Sequence, residues 1–172
     1  MIERGRVTNE DPRCHWEHMD VDGQSRVLDL GCAYLDEHLR RSCRGTPHYY
    51  LARGPQFYLG IDQNASDIEL LRGQCGDRFI CAQIISADQV ECWLRGERIT
   101  HLKSDVEGAE IHLAGITEPL PDLQAAAIEV HGHDVHRAVE AWLGVQGLNL
   151  YRIDQQNTCV DVHILYAQKP AK

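Results

Sequence analysis

The chain has 172 residues and a mass of 19.5 kDa, which is the size of one domain with its own hydrophobic core. Hydrophobic residues make up 43% and charged residues 25%, so neither a disordered chain nor a fibrous repeat is predicted. The net charge of -9 opposes broad electrostatic binding to nucleic acid or to an anionic membrane surface.

The cysteines and the hydropathy pattern indicate the cellular setting. Seven cysteines lie at irregular spacings without a CxxC motif, which predicts neither a disulfide framework nor a zinc ribbon. The N-terminus has no apolar signal region, and no stretch approaches the roughly 20 apolar residues of a membrane span. We therefore expect a cytoplasmic protein that does not interact with membranes.

Residues 1–24 are polar, contain an Asp-Pro pair and show no sustained apolar period. This composition predicts an N-terminal arm or a short capping helix. Regular structure is expected to begin at Ser25, so residues 25–172 are predicted to form a single domain.

Beyond the arm, short apolar runs alternate with longer segments of helical character. This alternation predicts right-handed crossovers and an open, Rossmann-like α/β sheet that is mostly parallel, with helices on both faces. The predicted strands of this part are 26–30, 57–62, 78–85, 99–105 and 125–131. The predicted helical segments are 35–43, 66–75 with Ser66 as N-cap, 87–95, 108–116 and 134–146.

Two further features complete the predicted layout. Residues 148–154 and 159–168 are close enough in sequence to form an antiparallel hairpin, which brings the sheet to seven strands. Residues 44–56 combine two prolines, two glycines and two tyrosines. They are interpreted either as a lid or acceptor-binding loop, or as an ordinary surface insertion.

Acidic residues mark the ends of the first three predicted strands, where ligands bind in open parallel sheets. At the first end, Gly31 lets the backbone turn and approach a ligand, and Asp29 suits a ligand ammonium group. At the second, Asp62 can accept both hydroxyls of a ribose. After the third, Asp88 either accepts from a purine amine or serves as the N-cap of the next helix.

The fourth and fifth predicted strands end in a second group of polar residues. Asp105 ends one strand, Glu129 and His131 end its neighbour, and His133 follows. A carboxylate and an imidazole over the sheet are what general-base chemistry or metal binding requires. The histidine spacing matches no zinc signature, so a divalent metal is not favoured.

The stretch "SDVEGAE" (104–110) concentrates three carboxylates at the start of a helix. The helix macrodipole stabilises an acid at this position by roughly 0.3–1 kcal/mol, and we assign Glu110 to this role. Asp105 is assigned to the reaction because a second acidic group lies at the next strand end. For Glu107 both interpretations stay open.

Four fragments carry a resemblance to a known family: "VLDLG" (27–31), "GID" (60–62), "LKSDVEGAEIHLAGI" (102–116) and "IEVH" (128–131). With them the chain resembles a small class I S-adenosylmethionine-dependent methyltransferase of the FkbM family. The last two fragments together are the most specific. The resemblance implies a seven-stranded sheet with a C-terminal hairpin and methyl transfer to a hydroxyl of a sugar, polyketide or other small molecule.

The resemblance also implies roles for individual residues. Asp29 and Gly31 would lie near the methionine part of the cofactor, Asp62 would hold its ribose, and Asp88 would approach its adenine. Asp105 and Glu107 would flank the methyl-transfer region. Asp105 is expected both to bind the cofactor and to take part in catalysis.

Methyl transfer requires alignment of the acceptor and removal of its proton. His131 is the first choice for the base, with Asp105 or Glu129 orienting it. A small-molecule acceptor is expected, and a homodimer that completes the acceptor pocket is left open.

The sequence leaves two alternatives to an active methyltransferase. Gly31 is followed by Cys32, Ala33 and Tyr34 where such enzymes continue with small residues. This departure favours a degenerate methyltransferase fold that acts as a cofactor-binding or partner subunit. A nicotinamide-dependent oxidoreductase is disfavoured because the G-x-G-x-x-G fingerprint is absent.

Overall fold

A computed structural model of the chain describes residues 3–4, 19–33, 46–155 and 161–170. The predicted helix at 35–43 and the bulky Tyr34 lie outside the described residues. None of the helices in the described ranges is long and apolar enough to cross a membrane.

The described residues form one eight-stranded sheet and five helical segments. The strands are β1 (Glu3–Arg4), β2 (Arg26–Leu30), β3 (Phe57–Asp62), β4 (Phe79–Cys81), β5 (His101–Ser104), β6 (Ala125–His131), β7 (Asn149–Gln155) and β8 (Val162–Gln168). The helices are α1 (Thr46–Leu51), α2 (Ala65–Cys75), α3 (Ala87–Gly96), a 3₁₀ helix (Ala109–Gly115) and α4 (His133–Val145).

The strand order is β1-β7-β8-β6-β5-β2-β3-β4. Strand β8 runs antiparallel to both of its neighbours, and all other neighbouring pairs are parallel. The predicted seven-stranded, mostly parallel sheet with a C-terminal antiparallel hairpin is therefore confirmed. The eighth strand, β1, is a two-residue addition at the edge beside β7.

Alternation along the strands builds a hydrophobic core on each face of the sheet. In β2, Leu28 and Leu30 join the cluster under α3, the 3₁₀ helix and α4, whereas Val27 joins the cluster under α1 and α2. Helices on both faces were predicted, and the two clusters confirm them. The tyrosine-rich segment contributes to the second cluster, because Tyr50 of α1 is fully buried.

Three local predictions require correction. The N-cap of α2 is Asn64, whose side chain accepts hydrogen bonds from the amides of Ser66 and Asp67, so Ser66 is not the cap. Strand β4 covers only the three residues that pair with β3, far fewer than the predicted 78–85. Asp88 is not an N-cap either, since Ser86 caps α3 by accepting from the Gln89 amide.

The turn after β2 is the tightest contact near the carboxyl ends of the strands. Gly31 has a φ of +69°, and a Cβ built on it would lie 1.7 Å from the carbonyl oxygen of Asp105. Its amide donates to the carbonyl of Ile61 at 2.8 Å. The glycine is needed because the turn packs directly against the backbone that leaves β5.

Gly54 gives a matched test of this packing, because it has a φ of +64° and no atom within 4 Å of a built Cβ. We expect Gly54→Ala to cost about 1–2 kcal/mol, the cost of a left-handed conformation. Gly31→Ala should cost a further 1–3 kcal/mol, roughly, for overpacking. Urea unfolding of the two variants measures the difference, and equal costs would contradict the packing described.

Candidate functional site

The candidate site lies where the strand order reverses. From β2 the chain moves outward to β3 and β4, then returns to add β5 on the other side of β2. The carboxyl ends of β2 and β5 therefore diverge into helices on different faces and leave a crevice, which is where open α/β sheets bind ligands. The predicted acidic residues at the ends of β3, β5 and β6 border this edge.

Asp29 does not face the crevice. It is fully buried and forms an ion pair with the ammonium group of Lys103 at 3.1 Å, while the Tyr58 hydroxyl donates to its other oxygen at 2.7 Å. Burial raises the pKa of Asp29, although Lys103 opposes the shift. The ammonium group beside Asp29 is thus that of Lys103, and the predicted ligand ammonium has no room there.

Lys103 is a site residue that the strand-end pattern did not single out. Its pKa is raised, because the attraction of Asp29 and Asp105 outweighs the lowering effect of burial. The sequence signal was a lysine inside an otherwise apolar strand run, where a charge needs a partner.

Asp62 joins the end of β3 to the turn after β2. One of its oxygens accepts from the Ala33 amide at 3.0 Å and the other from the Asn64 amide at 2.8 Å. Each carboxylate oxygen has a second lone pair, and the residue is partly exposed. Asp62 can therefore hold the turn and still accept a ligand hydroxyl.

Asp88 lies exposed in the first turn of α3, next to the segment that follows β4. Its carboxylate is free of the capping role, which Ser86 performs. The expected contact between Asp88 and a purine amine stays a prediction.

His131 lies among three carboxylates at the end of β6. Its Nδ1 is 3.3 Å from Glu110, and its Nε2 is 3.5 Å from Glu129 and 3.4 Å from Glu107. Glu129 and His131 alternate with Val130 along the strand, so both side chains project to one face. The three carboxylates within 3.5 Å of this imidazole are thus Glu107, Glu110 and Glu129, and the expected partner Asp105 is not one of them.

Glu110 has a larger role than the helix dipole. It is fully buried, and its two oxygens accept from the amides of Val106 and Gly108 at 3.0 and 2.8 Å. The same carboxylate contacts His131, so it fixes both the loop after β5 and the imidazole of β6. The sequence signal was the E-G-x-E spacing, in which an acid at the start of a helix bonds back to preceding amides.

Glu107 and Asp105 occupy the more open side of this cluster. Glu107 has a φ of +51°, a left-handed conformation that is uncommon for a residue with a side chain, and its side chain is 83% exposed. Asp105 is 26% exposed and lies 3.9 Å from the ammonium group of Lys103. Because Ser104 pairs with Ile128, Asp105 follows in register beside Glu129.

The carboxylates determine the charge of His131. Hydrogen bonds to Glu110 and then Glu129 raise the pKa of His131 from 6.5 to about 10, despite the opposing effect of burial. Glu107 adds little because its exposed carboxylate is screened by solvent. His131 is therefore an imidazolium at pH 7, a form that donates protons and does not accept them.

Glu129 has the opposite property. It is almost buried, and burial raises its pKa, while its hydrogen bond with His131 lowers it. A carboxylate of raised pKa at the edge of a crevice is suited to accept a proton. The raised pKa of Glu129 and the protonated state of His131 distinguish the two groups, and which of them acts as a base stays a prediction.

His133, His136 and His163 have contacts outside this cluster. His133 lies 3.0 Å from Asp161, and the ring of His136 packs edge-on against His163 at 5.0 Å between centroids. In the described ranges, no three His, Cys, Asp or Glu side chains are arranged to hold a metal ion.

Comparison with known proteins identifies relatives of the fold. No family model and no curated protein matches the sequence. A solved protein of the NADB-Rossmann superfamily from Streptococcus agalactiae is 13% identical, with a TM-score of 0.60. The match covers 96% of this chain and 71% of that protein's chain. The B. subtilis m1A22 tRNA methyltransferase is 12% identical, with a TM-score of 0.59. The match covers 96% of this chain and 68% of the tRNA methyltransferase chain.

A third structure includes a ligand. Aeropyrum pernix fibrillarin, solved with natively bound S-adenosyl-L-methionine, is 15% identical with a TM-score of 0.55, covering 86% of this chain and 67% of its own. The chain therefore shares the Rossmann-like fold of these proteins, two of which are methyltransferases. Membership of the FkbM family stays a prediction.

We expect NMR titration to separate the histidines. His131 should titrate near pH 10, whereas His136 and His163, whose pKa values burial lowers, should titrate below 6.5. Since the pKa of His131 is raised on folding, its contacts should stabilise the protein fully below about pH 6.5 and be lost as the pH rises through about 10.

Substitution of the carboxylates tests the cause of this shift. Glu110→Gln should lower the midpoint of His131 substantially, and Glu107→Gln, the matched control on the exposed side, should lower it little. A midpoint near 6.5 in the unmodified protein, or a larger effect of Glu107→Gln, would contradict the arrangement.

Proposed function

We propose that this protein is an S-adenosylmethionine-dependent methyltransferase that acts on a hydroxyl oxygen of a small acceptor. The observation that carries the proposal is the placement of Asp105 and Glu129 on neighbouring strand ends, beside the crevice that the Gly31 turn and Asp62 border. Glu129 is the proposed proton acceptor, because it is the nearly buried carboxylate of raised pKa at this edge.

The residues bordering the crevice fit the cofactor. The Gly31 turn is closed against β3 by the amide of Ala33 on Asp62, and Asp62 keeps lone pairs for ribose hydroxyls. Asp88 would lie on the adenine side. When bound, the cofactor supplies a methyl group activated by its sulfonium charge.

The acidic cluster would handle the acceptor. Its tasks are to align the acceptor oxygen and to take up its proton. His131, positively charged and held by Glu110, would fix the Glu129 carboxylate in one orientation. Asp105 and Glu107 would flank the acceptor, Asp105 from the β5 side.

The charge at this edge supports a small acceptor. In the part of the chain that the structure describes, the cationic side chains at this edge, Lys103 and His131, are both paired with carboxylates. A nucleic acid would bring phosphates to an acidic edge on a chain of net charge -9. The tRNA substrate in the name of the B. subtilis neighbour is therefore not transferred to this protein.

Calorimetric titration with S-adenosylmethionine and with NAD tests cofactor choice. We expect heat of binding with the first and none with the second. Binding to NAD alone would overturn the proposal. Binding of S-adenosylmethionine without turnover on any acceptor would favour the non-catalytic partner subunit, which the altered residues after Gly31 suggest.

Glu129→Gln tests the proposed base. It should lower turnover by about 10²- to 10⁴-fold, the usual contribution of a general base, and leave cofactor affinity nearly unchanged. Glu69→Gln on the exposed surface of α2 is the matched control and should change neither. Turnover is measured by transfer of labelled methyl to phenols, sugars and amines. Unchanged turnover in Glu129→Gln would contradict its role, and transfer to amines alone would exclude the hydroxyl acceptor.

A further inference from the structure

Lys103 reaches beyond its carboxylate partner to the backbone of the turn after β2. Its ammonium group donates to the carbonyl of Gly31 at 2.6 Å and to that of Leu30 at 3.3 Å. The side chain is 1% exposed, and the ammonium group also lies 3.1 Å from the Asp29 carboxylate. The shortest of these contacts is to the turn and not to the carboxylate.

The same turn is bound to the end of β5 through the backbone. The Asp105 amide donates to the carbonyl of Leu30 at 3.0 Å, and Gly31 packs directly on the Asp105 carbonyl. The Asp105 carboxylate lies 3.9 Å from the Lys103 ammonium. One buried cation thus contacts the end of β2, the turn that follows it and the first acidic residue after β5.

A buried ion pair would need no such reach. Neutralising Asp29 requires only the 3.1 Å contact, and Tyr58 already donates to that carboxylate from the other side. Donation to two successive carbonyls instead restrains the path of the turn. A binding site loses affinity for its ligand when a loop that contacts the ligand is no longer held in its bound conformation.

We propose that Lys103 is a positioning residue that holds the Gly31 turn in the conformation that receives S-adenosylmethionine. The inference rests on the proposed function. It assigns to this lysine a role in cofactor affinity that is separate from its role in neutralising Asp29.

Removing Lys103 alone would leave Asp29 charged and buried, so the test neutralises both. In Asp29→Asn with Lys103→Met no unpaired charge remains, whereas Asp29→Asn alone keeps the ammonium on Gly31, with the Asp105 carboxylate at 3.9 Å as its remaining charge partner. We expect the double variant to bind S-adenosylmethionine at least tenfold more weakly than the single variant, by calorimetry. The KM for the cofactor should rise by a similar factor, and the KM for the acceptor should change little.

Two further variants make the result interpretable. Tyr58→Phe removes a hydrogen bond from Asp29 without touching the turn, and its cofactor affinity should stay within threefold of the unmodified protein. Asp29→Asn with Lys103→Gln replaces the ion pair by an amide pair, whose shorter side chain cannot also reach Gly31. If the methionine double variant does not unfold cooperatively in urea, this glutamine double variant takes its place in the binding test. It should then show the same loss of affinity for S-adenosylmethionine.

Equal affinity in the double and single variants would overturn the positioning role and leave the proposed function standing. If Tyr58→Phe lost as much affinity for S-adenosylmethionine as the double variant, the positioning role would also be overturned. The loss would then come from the altered surroundings of Asp29 and not from the turn. If the unmodified protein shows no binding of S-adenosylmethionine, the proposed function fails and the inference fails with it.

Discussion

The arrangement of the crevice depends on the contacts that the buried ammonium group of Lys103 makes. It neutralises Asp29 inside the sheet and donates to the carbonyls at the end of β2. Removing one partner of a buried pair costs about 3–5 kcal/mol, because the remaining charge is left without compensation. The path of the Gly31 turn, the start of the loop after β5 and the packing of Tyr58 therefore depend on one side chain.

The second constraint is the imidazolium of His131, which lies on the neighbouring strand β6. His131 is held by a buried carboxylate from the loop after β5 and by Glu129 on its own strand. Lys103 lies beneath the crevice and is closed to solvent, whereas His131 lies at its rim and is 23% exposed. Both cations tie the loop after β5 to its neighbours. In the proposed function, the carboxylates around them are the groups that an acceptor would meet.

Much of the fold followed from periodicity, because buried parallel strands are continuous apolar runs that end in polar residues. Strands β2, β3 and β6 begin and end at the predicted residues. The site was harder to predict, since its chemistry depends on pairings between strands. That Asp29 meets Lys103 follows from their register across β2 and β5, and that Glu110 bonds back to Gly108 follows from a left-handed turn at Glu107. A sequence pattern gives the position of a charge along the chain, but not the partner that determines its protonation.

The structure of a complex with S-adenosylhomocysteine tests the central claim most directly. We predict that the ligand lies at the carboxyl edge of the sheet, with its amino-acid part at the Gly31 turn, its ribose on Asp62 and its sulfur facing Asp105 and Glu129. Lys103 should keep its contact with the Gly31 carbonyl. A ligand bound elsewhere, or a complex in which the crevice is closed by the turn, would contradict the account.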